Sequence, residues 1–426
     1  DRSRHSCWTA LPISNTQHNE TTLSCGLRVI HESSDSPVLY CGYVVCAGTR
    51  HETIDDSGMA HFIEHMTFKG TQRRRASQIT NGLECVGGDL NAFTTKQETV
   101  YYATVLKENF IRAVSLLTDI VFHSTYPQAE IDREVEVICD EIDSYKDSPS
   151  ELIFDEFETL MYPSQPLGRD ILGKAERLRQ YTTADALRFA RQYYRPENAI
   201  FYVYGDVAFS TIVRRLERLL PTSDFASLPP FVHNEQQSPA PQMCSNIHRI
   251  ERGTHQAHVL IGGPTFAGTD SRRFALVLLN NILGGPGMNS RLNISMRERA
   301  GLVYSVDSYL NTYPDTGFWN VYFGCDTHDT SRCSRLLRRE LDKLMNKPLC
   351  PATLNAAKKQ LCGQIGISTD SSEAYALALG KTYAHYNRYR SVPDIINAIQ
   401  QVKAEEMQEV AQEVYQAERL TTLMYV

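Results

Sequence analysis

The chain has 426 residues, 42% hydrophobic and 22% charged, with a formal net charge of −7: by length, two to three domains with sizeable cores. The negative balance gives no electrostatic footprint for nucleic acid, and no apolar run approaches the roughly 18 residues of a membrane span. The eleven cysteines lack regular close spacing and read as small buried hydrophobes of a reducing, cytoplasmic compartment rather than a disulfide framework.

In chain order, strands are expected over 27–30 and 38–45, leading to Gly58-Met59-Ala60 and then His61-Phe62-Ile63-Glu64-His65. At about 100° per residue a helix places His61, Glu64 and His65 within roughly a 100° arc of one face. Two imidazoles four apart converge on one divalent ion, and the carboxylate between them is placed to hold a water beside it. This is the H-E-x-x-H metal pattern with its order inverted. An isolated histidine is more often structural; the whole five-residue pattern is what points to a metal. Ile63, Met66 and Phe68 are expected to pack inward, with Lys69-Gly70-Thr71 ending the helix.

Gly87-Gly88 precedes Asp89-Leu90-Asn91-Ala92-Phe93-Thr94, and a further strand is expected over 99–105. Helices are expected over 107–122 and 128–146. In the second of these, Ile131, Val135, Ile138 and Ile142 recur at helical spacing, and Glu134 and Glu141, two turns apart, share a face. That acidic face is either solvated surface or the source of a third metal ligand; a catalytic zinc site uses three protein ligands and leaves a position for water. More helices to Tyr194 and a strand over 199–204 close the first half. Pro221 to Gln242, rich in Pro, Ser and Gln, reads as a linker.

The second half repeats the order of elements: a strand over 258–262, a helix over 272–283, strands over 303–309 and 318–325, helices over 333–345, 353–365, 374–386 and 403–415, and a strand over 421–425. The 272–283 helix contains no His. Gly284-Gly285-Pro286-Gly287 reads as a turn between helices, since no Gly-Lys-Ser/Thr follows to make a phosphate loop.

From about Gly26 to Tyr425 the chain resembles the inverted-zincin peptidases that include insulin-degrading enzyme, pitrilysin and the mitochondrial processing peptidase. Those proteins carry H-x-x-E-H, then about seventy-five residues later a ligand Glu with another functional Glu seven residues before it; His65, Glu141 and Glu134 have that spacing here. The resemblance implies Zn2+ held by His61, His65 and Glu141, Glu64 as general base, and Glu134 as a supporting carboxylate. Arg297-Glu298-Arg299-Ala300-Gly301-Leu302-Val303-Tyr304 is similar to the family's R-x6-Y element, which makes Arg297 and Tyr304 substrate-binding groups near the scissile bond. Asn91, Ala92 and Phe93 would lie on an edge strand that pairs with an extended substrate.

The implied fold is α+β: two similar domains, each a mostly antiparallel sheet flanked by helices. The expected division is a zinc-binding domain over 1–220, a linker over 221–242, and a second domain over 243–426 with the Arg–Tyr element and no metal. The implied activity is zinc-dependent endopeptidase action on extended peptides or unstructured segments. The alternative is a non-catalytic structural or partner-binding subunit. Long family members hold four such domains in one chain; with two, this chain is expected to form a homodimer in which each zinc site faces the partner's second domain.

Overall fold

The computed structural model describes residues 18–231, 239–242 and 245–426. Among these residues eleven strands form two sheets. The first contains β1 (His18–Thr22), β2 (Arg28–Glu32), β3 (Val38–Val45), β4 (Asp89–Thr94), β5 (Thr99–Leu106) and β6 (Ala199–Tyr204), in the order β1-β2-β6-β3-β5-β4. The second contains β7 (Ile247–Ile250), β8 (Ala257–Pro264), β9 (Val303–Thr312), β10 (Gly317–Cys325) and β11 (Thr421–Tyr425), in the order β7-β11-β8-β10-β9. Leaving out β1, the two orders superpose strand for strand. In each sheet one pair is parallel, β2 with β6 and β7 with β11, and the others are antiparallel. β4 and β9 are therefore equivalent edge strands.

Helices cover one face of each sheet with its own half of the chain. Against the first sheet, Phe62, Ile63 and Met66 of the helix Met59–Thr67 share a core with Tyr43, Tyr101 and Leu117. Against the second, Leu279 and Leu283 of the helix Arg273–Gly284 pack with Trp319 and Val321. The other face is covered reciprocally. The helix Pro149–Met161 sends Ile153 and Phe157 onto Leu260, Phe318 and Leu423 of the second sheet. The helix Ser372–Tyr386 sends Ala376, Leu379 and Tyr383 onto Ile30, Val44 and Ile200 of the first. Gly380 permits this approach, because a Cβ there would sit 2.4 Å from Tyr202 Cδ1. Burial of these side chains, each worth about 1.5–3 kcal/mol for a large aliphatic or aromatic group, joins the two halves.

Polar contacts fix the register of that junction. The Tyr375 hydroxyl donates to both oxygens of buried Glu32 at 2.9 Å, and the Tyr389 hydroxyl donates at 3.1 Å. Arg50 forks onto Asp315 at 3.1 and 2.7 Å. Glu98, 3% exposed, lies between Lys381 Nζ at 3.1 Å and His385 Nε2 at 2.6 Å.

Several boundaries differ from the sequence reading. The motif helix ends at Thr67 with Phe68 as its cap, so Lys69-Gly70-Thr71 lie beyond it. The expected 107–122 helix starts at Phe110, after a short 3-10 turn. β1, β7 and the helices Ala76–Glu84, Phe209–Leu219 and Val392–Gln401 were not anticipated. Of the linker stretch, 222–225 form a 3-10 turn and the Pro229 carbonyl accepts from buried Arg195, while 232–238 lie outside the described residues. No described helix is long and apolar enough to cross a membrane.

The Glu98 cluster gives a pH test. Burial opposes its charge, but His385 and Lys381 outweigh this and pull its pKa from 4.5 to about 2. With the folded value below the unfolded one, the stabilisation is complete above about pH 4.5 and is lost as pH falls from there toward 2. Glu98→Gln should destabilise the protein by about 3 kcal/mol at neutral pH and flatten its stability across that acid window. Denaturant titrations followed by circular dichroism at several pH values would show this; an unchanged acid profile would contradict it.

Candidate metal centre

The helix that carries the histidines is anchored at its N-terminus. Gly58 precedes it with φ +79°, in the left-handed region, and a Cβ there would lie 2.6 Å from the Leu172 carbonyl oxygen. Glu52, 3% exposed, accepts from Gly58 N and Ala60 N, one carboxyl oxygen to each, at 2.9 Å. A carboxyl group placed on the free amides of a first turn satisfies them, although burial outweighs these two hydrogen bonds and pushes the Glu52 pKa up to about 8. With Phe62, Ile63 and Met66 fully buried, the helix can neither roll nor slide, and the orientation of its polar face is set.

On that face His61 Nε2 and His65 Nε2 lie 3.2 Å apart. Glu141, from the helix Gln128–Lys146, brings Oε2 to 3.8 Å from the first and 3.6 Å from the second. The three ligand atoms lie within 4.8 Å of one another. A tetrahedral zinc ion with bonds of about 2.0–2.1 Å has ligand–ligand edges of roughly 3.3–3.4 Å, so the three edges bracket what such an ion requires. The donor set also fits: two imidazoles and one carboxylate form an open catalytic set rather than a closed structural one. Burial, reinforced by the neighbouring His65, pushes His61 down to about 3, leaving a neutral ring able to present a lone pair. Its Nδ1 is buried without a hydrogen-bond partner among the described residues.

His65 is oriented from behind. Its Nδ1 donates to Glu134 Oε1 at 3.0 Å, which leaves Nε2 as the lone-pair nitrogen of the neutral ring. Lys69 Nζ contacts the other Glu134 oxygen at 2.6 Å. Burial opposes the charge on Glu134, but these two contacts hold its pKa below the usual carboxylate value. For His65, burial lowers the pKa, while the Glu134 hydrogen bond and the charges of Glu64, Glu134 and Glu141 outweigh it and raise the net value.

Glu64, half-buried, points from the same helix toward β4, where Thr94 Oγ1 donates to its Oε2 at 2.6 Å. Burial raises its pKa, with the Thr94 hydrogen bond and His65 working against that. Asn91, Ala92 and Phe93 sit on β4 and pair with Tyr102, Tyr101 and Val100 of β5. Among the described residues β4 is the edge of its sheet, a position at which a further strand can be added.

Arg297 and Tyr304 are placed elsewhere. Arg297 lies in the π-helical segment Asn293–Glu298, near Asn293 and Glu298. Tyr304 is on β9, 71% exposed. Among the described residues no hydrogen bond or ion pair joins either to the His–Glu cluster.

Glu52, Lys69 and Thr94 were missed by the sequence reading. Each acts through a partner remote in sequence or beyond the motif, and only the Thr94–Glu64 and Lys69–Glu134 contacts themselves reveal the part they play.

Residues 28–175 match the family model described as insulinase, peptidase family M16, and residues 180–361 match that of the peptidase M16 inactive domain. Over 403 residues the chain is 33% identical to an uncharacterized zinc protease of Streptomyces coelicolor, covering 92% of this chain and 86% of that one. The chain belongs to peptidase family M16. It is also 29% identical over 395 residues to the uncharacterized zinc protease YmxG of Bacillus subtilis, covering 92% and 95% of the two chains. The M16 fold is shared with a protease from Helicobacter pylori (TM-score 0.87, 22% identity, 96% of this chain and 99% of that one). It is shared too with a Pseudomonas fluorescens structure titled as a peptidase M16 inactive domain (TM-score 0.87, 20% identity, 96% and 98%).

The Glu134–His65 contact makes a direct prediction. Glu134→Gln should weaken zinc affinity by about 10- to 100-fold without abolishing binding, measured by competition with a chromophoric chelator. Unchanged affinity would deny Glu134 a supporting role.

Proposed function

We propose that this M16 chain is a zinc-dependent endopeptidase acting on extended peptides or unstructured protein segments. The observation that carries the reading is the convergence of His61, His65 and Glu141 donor atoms within 4.8 Å, with Glu64 beside them and hydrogen-bonded to the open edge strand. His61, His65 and Glu141 would hold the metal. When bound, zinc supplies Lewis acidity to the scissile carbonyl and lowers the pKa of water toward neutrality.

The chain's own residues supply the rest. The open edge at Asn91, Ala92 and Phe93 pairs with substrate backbone, which selects extended chain over particular side chains. Glu64 accepts a proton from the attacking water and delivers it to the leaving amine nitrogen. Its raised pKa suits both halves of that transfer. Glu134 keeps the His65 lone pair aimed inward.

Tyr304 and Arg297 complete the reading in trans. Tyr304 is exposed on the edge strand equivalent to β4, and among the described residues neither it nor Arg297 has a hydrogen bond or ion pair to the cluster of its own chain. In a homodimer they would face the partner's zinc site, where a phenol and a guanidinium suit an oxyanion.

Glu64→Gln should retain stoichiometric zinc and lose peptide hydrolysis, whereas His61→Ala, His65→Ala and Glu141→Ala should lose both. Retained turnover in Glu64→Gln would reject Glu64 as the base. The assembly has its own test. Glu64→Gln and Tyr304→Phe proteins should each be nearly inactive, and mixing them with subunit exchange should restore activity through one site with both residues intact. No recovery despite proven exchange would place Tyr304 in cis or outside the reaction.

A further inference from the structure

Glu64 is held by a residue outside the metal cluster, and that residue leads into a turn gripped by the other half of the chain. Thr94 ends β4, and its hydroxyl donates to Glu64 Oε2 at 2.6 Å. A glutamate side chain has three torsions, and holding one oxygen narrows where the other can face. A β-branched residue suits a strand without any hydroxyl, so the strand itself does not require the donor.

The turn after Thr94 is closed on itself and on its surroundings. Thr95 N donates to the Glu98 carbonyl at 2.8 Å, and Glu98 N donates to Thr95 Oγ1 at 3.2 Å. Arg50 N donates to the Lys96 carbonyl at 2.9 Å. Glu98 is then clamped by Lys381 at 3.1 Å and His385 at 2.6 Å, residues four apart on one face of the helix Ser372–Tyr386. Lys381 Nζ also stands 5.5 Å from the centre of the Phe93 ring, the residue before Thr94.

We infer that Thr94 is a positioning residue for Glu64, and that the second half of the same chain holds Thr94 in place through Lys381 and His385 on Glu98. The second half thus acts on the site in cis, independently of any contribution from a partner copy. The inference rests on the peptidase reading for its kinetic consequence and on geometry alone for its structural one.

Thr94→Val should lower kcat by roughly 10- to 100-fold, the scale of a misplaced reacting group, with KM and zinc content unchanged. Thr94→Ser, which keeps the donor, should restore kcat. Lys381→Met combined with His385→Gln should lower kcat in the wild-type background and have no further effect in Thr94→Val, because both act through one contact. Wild-type kcat in Thr94→Val, or a Ser variant as impaired as the Val variant, would overturn the role of Thr94. Additive losses would overturn the route through Glu98. Crystal structures of zinc-loaded wild type and Thr94→Val read the same point without turnover: one Glu64 rotamer in the first and several in the second. A single shared rotamer would overturn the inference, whereas a wild type inactive on every peptide would overturn only the proposed reaction.

Discussion

Three donor atoms from two helices must meet within a few ångströms, and everything at this site depends on how the helix Met59–Thr67 is seated. The histidine spacing guarantees only that His61 and His65 lie on one face. Which way that face turns is decided by burial of Phe62, Ile63 and Met66 and by the Glu52 carboxyl group on the first-turn amides. Glu141 arrives from a second helix whose own apolar side, Ile131, Val135 and Ile138, is buried in the same core. The hydrophobic core therefore sets the ligand geometry. Glu134 then corrects it locally, fixing the His65 ring with one oxygen while Lys69 neutralises the other.

The two halves share a strand order but not a chemistry. Both present an edge strand, β4 in one and β9 in the other, and each lends a helix to the other's sheet. Among the described residues the His–Glu cluster lies in the first half, and the family model matching residues 180–361 is that of an inactive domain. The exchanged helix Ser372–Tyr386 gives the second half a structural hold on the turn that follows Thr94. The fold thus divides labour: one half supplies donor atoms, and the other braces the strand beside them.

What the sequence revealed follows from the range of each interaction. The histidine pair and Glu64 could be read directly because an i, i+4 relation is local. The apolar rhythm of the helix Gln128–Lys146 showed that Glu134 and Glu141 share a face, but their distance from the histidines in sequence left their role to family resemblance. The β4 edge, too, was expected only from the family resemblance of the stretch Gly87 to Thr94, since its own residues fit an ordinary hairpin equally well. β1, His-Asn-Glu-Thr-Thr, has no apolar alternation to betray it, and its pairing with β2 is a tertiary event. The helix Val392–Gln401 does carry a local signal: Ser391 and Asp394 form a capping box with Pro393 in the first turn. Glu52 and Thr94 left no such trace, since each matters only for what it meets in the folded chain.

The most direct measurement is hydrolysis of an internally quenched, unstructured peptide by the protein as purified, after exhaustive chelation, and after reloading with one zinc per chain. A zinc endopeptidase should cleave the peptide, lose that cleavage on chelation and recover it at a single equivalent of metal. Cleavage that survives complete removal of zinc, or no cleavage of any peptide by the fully loaded protein, would contradict that reading.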